Sequence, residues 1–124
     1  MPFVAAREAV VHDMHGVRFV SHAASALGSK ELCAWRCEVP AGSGGQPHTI
    51  SREEVFLILS GTLELTIDGA SRLLGEGDVA IAPAGSLLAV ANPTEEPAGM
   101  WVTTSVGLTA ILPDGSRISP PWAS

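Results

Sequence analysis

Hydrophobic and polar residues alternate along much of the chain, as they do in half-buried β-strands. From residue 31 to 39, Cys33, Trp35 and Cys37 alternate with a second series of residues, namely Leu32, Ala34, Arg36 and Glu38. The apolar residues at 63, 65 and 67 likewise alternate with Thr and Glu. Successive side chains of a strand point to opposite faces, so both segments are predicted to be strands with one buried face. Shorter strand-like segments, separated by Gly, Pro and Asp, occur at residues 10–11, 16–21, 73–74, 79–82, 87–91 and 99–106.

One segment breaks this alternation, because residues 55–59 are apolar on both faces. An antiparallel strand that faces water on one side carries polar residues there, so we expect the outer face of this strand to be covered. The cover could be the second sheet of the same domain, the N-terminal segment or a second subunit. An exposed apolar patch of this kind favours a homodimer over a monomer.

Two Gly-rich segments carry most of the residues with functional potential. The first, GSGGQPHTISREEVFLILSG over residues 42–61, contains His48 and Glu54 between its bounding glycines. The second, GDVAIAPAGSLLAVAN over residues 77–92, supplies Gly, Pro, Gly and Asn. These spacings resemble the two motifs of the cupin superfamily, Gly-x5-His-x-His-x3-Glu-x6-Gly and Gly-x5-Pro-x-Gly-x2-His-x3-Asn. The chain departs from them at Ile50 and Leu88, where the family has histidines.

The resemblance implies an all-β domain of the double-stranded β-helix type, a jelly-roll β-barrel. A length of 124 residues fits one domain, and 46% hydrophobic residues suffice for a core. We therefore expect a single domain over residues 1–124 with its two motifs at 42–61 and 77–92. The N-terminal strands at residues 3–22 and the C-terminal tail at 107–124 are expected to pack outside the barrel.

The same resemblance implies a metal site that this chain cannot fill in the usual way. Of the four family ligand positions, only His48 and Glu54 carry side chains that bind metals, whereas catalytic zinc usually takes three protein ligands. We therefore expect no cofactor, with a divalent metal at His48 and Glu54 as the less favoured alternative. The sequence leaves open whether other side chains replace the missing ligands, and the candidates are His12, His15, His22 and Cys37.

In place of a metal site, the barrel is predicted to enclose an apolar pocket for a small organic molecule. Glu54 shares a strand face with apolar residues, and burial raises the pKa of a carboxyl, so Glu54 becomes a candidate acid or base near neutral pH. His48 is its predicted catalytic partner, since imidazole exchanges protons in the same range. The residues expected to contact the ligand are Trp35, Arg36, Ile50, Phe56, Ile58, Leu88, Val90 and Met100.

Composition narrows the list of partners. The net charge is −6 and Lys30 is the only lysine, so a nucleic-acid backbone would be repelled and no nucleic-acid partner is expected. No apolar run has the length of a signal peptide or a membrane span, so we expect a cytoplasmic protein without a membrane partner. Cys33 and Cys37 are four residues apart on one strand, roughly 13 Å, which is too far for a disulfide.

Three hypotheses about function follow from the sequence. The domain is a metal-independent acid/base enzyme of the isomerase, epimerase, dehydratase or cyclase type, with Glu54 and His48 as catalytic residues. Alternatively, it binds a ligand without catalysis, or it is a metal-dependent, dioxygenase-like cupin with replacement ligands. The sequence does not name the substrate.

Overall fold

The structure is a computed structural model that describes residues 2–124. Within this range the chain forms twelve β-strands and three short 3₁₀ turns, at Ala6–Glu8, Ser25–Leu27 and Pro121–Ala123. The strands are β1 (Val10–Met14), β2 (Val17–Ala23), β3 (Leu32–Val39), β4 (His48–Ile50), β5 (Glu54–Ser60), β6 (Leu63–Ile67), β7 (Ala70–Leu74), β8 (Val79–Ala82), β9 (Leu87–Ala91), β10 (Ala98–Ser105), β11 (Ala110–Ile111) and β12 (Arg117–Ile118).

The strands form two antiparallel sheets that pack face to face. The first sheet has the order β1-β2-β3-β10-β5-β8, and the second has the order β12-β11-β4-β9-β6-β7. Consecutive strands often lie in different sheets, because the chain crosses between them after β3, β4, β5, β7, β8, β9 and β10. This is the jelly-roll arrangement, and the predicted fold class is confirmed.

The alternation in the sequence determines which side chains fill the space between the sheets. On β3, Cys33, Trp35 and Cys37 are buried, while the intervening side chains face outward. On β5, Glu54, Phe56 and Ile58 are buried on the inner face of the same sheet. Both cysteines are free and buried, as expected from their spacing. The core is therefore a single layer of inward-facing side chains contributed by both sheets.

The last residue of the second motif stabilises the loops next to the core. Asn92 is fully buried, and its Nδ2 donates hydrogen bonds to the carbonyl oxygens of Val39 at 3.2 Å and Glu96 at 2.8 Å. Its Oδ1 accepts hydrogen bonds from the amide and the hydroxyl of Thr94, at 3.0 and 2.7 Å. Every polar atom of this side chain is thus bonded inside the protein, and Asn92 joins the end of β3 to the loop after β9.

The expectation that both ends of the chain pack outside the barrel is wrong. Strands β1 and β2 form a hairpin that extends the first sheet, with a turn at His15 and Gly16, which have φ of 52° and 79°. Strands β11 and β12 extend the second sheet beside β4. The aromatic rings of Phe19 and Trp122 stack at 3.7 Å and 7°, so the two ends meet between the sheets.

In the described part of the chain, helical structure is limited to the three 3₁₀ turns. No helix within residues 2–124 has the length and apolar character needed to cross a membrane.

Candidate functional site

A cavity of about 290 Å³ lies between the two sheets. The inner face of the first sheet supplies one wall, including Phe19, Trp35 and Phe56, and β4 and β9 of the second sheet supply the opposite wall. The loop at residues 43–46 and the C-terminal segment complete the lining. Most of these side chains are apolar, which is typical of a site for a small organic molecule.

Glu54 is the buried carboxyl of this cavity. It is the first residue of β5 and is 4% exposed, on the same face as Phe56. Burial raises the pKa of the Glu54 carboxyl to about 8, and burial is the only cause, because neither a cation nor a hydrogen-bond donor compensates for the lost hydration. The group is therefore mostly a neutral carboxylic acid at pH 7, able to donate a hydrogen bond or a proton.

His48 contributes the imidazole of the site from the short strand β4. Its Nδ1 lies 3.1 Å from the carbonyl oxygen of Gln46. A carbonyl can only accept, so in the neutral ring Nδ1 carries the proton and Nε2 retains its lone pair. The loop that provides this carbonyl approaches β9 closely at Gly45, where a Cβ would lie 2.1 Å from the carbonyl oxygen of Val90. Gly45 is thus required for the loop that orients His48.

The four positions that the family uses for metal ligands converge in this cavity. His48 lies opposite Leu88 in the register of β4 and β9, and Ile50 and Glu54 also line the cavity. Ile50 and Leu88 are buried, at 1% and 2% exposure, so apolar side chains occupy two of the four ligand positions. Among residues 2–124, no three His, Cys, Asp or Glu side chains come together in a way that could hold a metal ion. The donor set does not fit a metal centre.

The candidate replacement ligands are divided between the inside and the outside of the barrel. His15 and Cys37 line the cavity, whereas His12 and His22 do not. Burial raises the pKa of the Cys37 thiol to about 12, with the nearby Glu54 carboxyl as a further cause. The thiol therefore stays protonated, and the thiolate is the form that binds metals. The Trp35 indole N–H approaches the Cys37 sulfur and counteracts part of this rise in pKa, but it forms no hydrogen bond.

Six of the eight side chains expected to contact a ligand line the cavity. They are Trp35, Ile50, Phe56, Leu88, Val90 and Met100. The expectation that Arg36 and Ile58 line it is wrong. Arg36 lies between two inward-facing residues of β3, so it faces outward, and its Nη2 pairs with Glu38 Oε1 at 3.7 Å. Ile58 is buried on the inner face of β5, but it lies two residues beyond Phe56 along the strand and does not line the cavity.

Sequence reasoning missed the lining residues that come from the two ends of the chain. Met14, His15 and Phe19 enter from the N-terminal hairpin, and Ile118 and Trp122 enter from the C-terminal segment. The inward alternation of Val17 and Phe19 on β2 was a usable signal. Strand β12 has only two residues, so it offers no alternation from which a buried face can be recognised.

Comparisons with known proteins agree with this architecture. Residues 35–105 match the family model described as the cupin domain. The structure is similar to an RmlC-like cupin from Shewanella frigidimarina, with 22% identity, a TM-score of 0.71, and coverage of 83% of this chain and 88% of that chain. It is also similar to the polyketide cyclase RemF from Streptomyces resistomycificus, with 15% identity, a TM-score of 0.74, and coverage of 85% and 79%.

A third similar structure is a sugar phosphate isomerase of the cupin superfamily from Silicibacter pomeroyi, with 19% identity, a TM-score of 0.73, and coverage of 91% of this chain and 82% of that chain. No curated protein sequence matches this chain. At these identities, the likeness to the solved structures shows the fold alone.

Proposed function

The chain belongs to the cupin family, and we propose that its interior cavity binds a small neutral organic molecule and catalyses a metal-independent proton transfer on it. Glu54 is the general acid, and His48 Nε2 is the general base. His48 removes a proton from a carbon of the substrate, and Glu54 delivers a proton to the substrate. The proton goes to carbon in an isomerase or epimerase, to the departing hydroxyl in a dehydratase and to a carbonyl oxygen in a cyclase.

The buried carboxyl of Glu54, without a cation or a hydrogen-bond donor beside it, carries this proposal. An uncompensated carboxyl inside an apolar cavity destabilises the fold when it ionises, and a purely structural role would be better served by an apolar residue. A general acid works best when its pKa lies near the working pH, and burial raises the pKa of Glu54 to about 8. His48 lines the same cavity with a free Nε2 lone pair, so acid and base face one space.

The charge of the lining disfavours an anionic substrate. Among the described residues, neither Lys nor Arg lines the cavity, so a phosphate or carboxylate group would be buried without a counter-charge. A sugar phosphate, the substrate class in the name of one similar structure, therefore fits this lining poorly. An uncharged cyclic molecule, such as a polyketide cyclase would release, agrees with it better.

Two alternatives differ from this proposal in what His48 and Glu54 do. In a non-catalytic binding protein they would only contact the ligand, and their substitution would weaken binding without a reaction being lost. A metal-dependent, dioxygenase-like activity would need replacement ligands, and the side chains around His48 and Glu54 do not supply them within residues 2–124.

Proton exchange in heavy water distinguishes catalysis from binding. We would incubate the protein in D₂O with three small ketones, cyclohexanone, 1-hydrindanone and 1-indanone, and follow loss of the α-proton signals by NMR. We expect the wild type to accelerate exchange of at least one ketone, with His48 removing the α-proton and Glu54 protonating the carbonyl oxygen to give the enol. Glu54→Gln and His48→Gln should each lower that acceleration by about 100-fold or more. A ketone that binds without faster exchange would support the non-catalytic alternative.

We further propose that the protein is a homodimer that pairs through the outer face of β5 and β8. Val55 and Leu57 lie beside Ile81 and Val79 on this face, and the last two are 60% and 52% exposed. The N-terminal hairpin extends the first sheet within its own plane, so it does not cover this outer patch. The second sheet packs on the inner face of the first sheet, so it does not cover the patch either. The four residues are uncharged, so a twofold axis can place the patch against its own copy without repulsion.

A further inference from the structure

The cavity contains an unusual share of the aromatic side chains of this protein. The sequence has three Phe, three Trp and no Tyr. Four of these six residues line the cavity, namely Phe19, Trp35, Phe56 and Trp122. They come from β2, β3, β5 and the last 3₁₀ turn, so aromatic side chains reach the cavity from both ends of the chain and from the middle of the first sheet.

The strand register places these rings in a wall. Val102 on β10 pairs with Trp35 on β3 and with Phe56 on β5, so the two aromatic residues are two strand spacings apart, roughly 10 Å. Phe19 lies on the next inward row of β2, and its ring stacks on Trp122 at 3.7 Å and 7°. Ring faces and edges at such positions bind a flat ligand through offset or edge-to-face contacts.

The buried carboxyl of Glu54 lies at the edge of this aromatic wall. Glu54 precedes Phe56 by two residues on the same face of β5, roughly 6.6 Å along the strand. It is 4% exposed, and no donor or cation beside it compensates for the burial of its carboxyl. A carboxylic acid that an apolar site keeps neutral can donate a hydrogen bond to an oxygen of the ligand.

We propose, on the basis of the binding function above, that the cavity selects a neutral, planar conjugated molecule, and that Glu54 donates a hydrogen bond to a ketone-type oxygen at the edge of this ligand. The four aromatic rings select a flat ligand, and Glu54 determines where the ligand oxygen lies. These rings belong to Phe19, Trp35, Phe56 and Trp122. The described lining contains neither Lys nor Arg, so it disfavours an anionic ligand, which would be buried without a counter-charge. When a proton is lost from the carbon next to the carbonyl, the Glu54 proton moves to the carbonyl oxygen, and the product is the enol.

Four probes of similar size separate these requirements. 1-Indanone is flat and carries a ketone, indane lacks the oxygen, 1-hydrindanone lacks the aromatic ring, and indane-1-carboxylate carries a charge. We would titrate each into ¹⁵N-labelled protein and follow the indole N–H resonances. Trp35 and Trp122 line the cavity, whereas Trp101 lies on the outer face of the first sheet and serves as the internal reference.

We expect 1-indanone to bind at least about 10-fold more tightly than indane or 1-hydrindanone, since one hydrogen bond and one set of ring contacts each contribute about that factor. The carboxylate should not bind. Glu54→Leu should reduce the affinity for 1-indanone to that for indane. Trp122→Leu should remove the advantage over 1-hydrindanone, while Trp101→Leu changes neither. Thermal melts establish that each variant is folded, and the Glu54 comparison stands if Trp122→Leu does not fold.

Equal binding of 1-indanone and 1-hydrindanone would overturn the planar selectivity, and tighter binding of the carboxylate would overturn the neutral selectivity. Both results would leave the proposed binding function intact. If none of the four probes binds, and none of the ketones exchanges in heavy water, the ligand class and the proposed function are both wrong.

Discussion

The two faces of β5 present opposite mismatches between side chain and surroundings. The inner face buries an ionisable carboxyl, Glu54, among apolar side chains. The outer face exposes apolar side chains, with Leu59 at 41% and Ile81 of the neighbouring strand at 60%. In most proteins charges are exposed and large apolar groups are buried, so each face reverses the usual preference.

The two proposals made above assign a partner to each mismatch, and the partners differ in kind. A ligand with an acceptor oxygen would accept the hydrogen bond that Glu54 cannot make within the protein. A second copy of the chain would cover the outer patch, because the patch is apolar and uncharged. Because successive side chains of a strand point in opposite directions, a single strand can present a binding site on one face and an assembly surface on the other.

The largest expected effect is on assembly. The wild type should be a dimer at micromolar concentration, and Ile81→Glu should be a monomer. An uncompensated buried charge destabilises by about 3 kcal/mol or more, and twofold symmetry would place it in the interface twice, for about 6 kcal/mol. Light scattering measures the mass. Ile81 is a better position than the half-buried Leu57, because its exposure leaves the fold of the single chain undisturbed.

Leu73→Glu is the matched control for this change. Leu73 is 58% exposed on β7 of the second sheet, so it receives the same substitution at nearly the same exposure on the other side of the molecule. This variant should remain a dimer. A monomeric wild type, or dissociation by Leu73→Glu alone, would contradict the outer face of β5 as the interface.

The next effect is the dependence of stability on pH. The folded protein keeps a proton on Glu54 up to about pH 8, whereas the unfolded chain loses it near the usual pKa of 4.5. The free energy of unfolding of the wild type should therefore fall as the pH rises from 4.5 to 8, by up to about 5 kcal/mol at 1.36 kcal/mol per pKa unit. Glu54→Gln, which is neutral throughout, should lack this loss and be the more stable protein at pH 8.

Urea unfolding at several pH values makes this comparison, and Glu53→Gln is its control. Glu53 is exposed and faces away from the cavity, so its substitution should leave the pH dependence of the wild type unchanged. Parallel curves for wild type and Glu54→Gln would mean that the Glu54 carboxyl is hydrated or compensated in solution.

The smallest effect tests whether the family ligand positions still form one site. Ile50→His with Leu88→His should restore a four-ligand set with His48 and Glu54. Without metal this double variant should be less stable than the wild type, because it buries imidazole nitrogens that lack partners. Zinc at about 100 times its dissociation constant should then raise the free energy of unfolding by roughly 2.7 kcal/mol.

The matched control is Thr49→His with Leu87→His. These residues are paired in the register of the same two strands, and Leu87 is 47% exposed on the opposite face. Thermal melts with and without zinc should show a metal-dependent rise for the inward pair alone. A folded inward variant that does not respond to zinc would mean that the four positions do not share one site in solution.

Much of the fold can be predicted from local sequence, because the determinants of strands and turns are local. The alternation of Cys33, Trp35 and Cys37 identifies the inner face of β3. Asp68 and Gly69 predict a hairpin turn, and both adopt positive φ, at 49° and 84°. The spacing of Glu54 and Phe56 places the carboxyl inside the barrel. These inferences need only the period of a strand and the conformational preferences of turn residues.

The remainder of the site depends on contacts between distant parts of the chain. The alternation gives the face of Ile58 but not its position relative to the cavity, which the crossing strands determine. The stacking of Phe19 on Trp122 joins residues from the two ends of the chain, and no local pattern predicts such a pair. The alternation on β3 also predicts that Arg36 faces outward, since Trp35 and Cys37 on either side of it face inward.

The position of β10 has a kinetic consequence. This strand lies between β3 and β5, so Val102 pairs with Trp35 and with Phe56, which are distant from it in sequence. Each pairing requires closure of a long loop before any contact offsets the lost chain entropy, and proteins rich in such pairings fold in milliseconds to seconds. Until β10 inserts, one edge of β5 has no paired strand, and this apolar strand is then available for association with other unfolded chains.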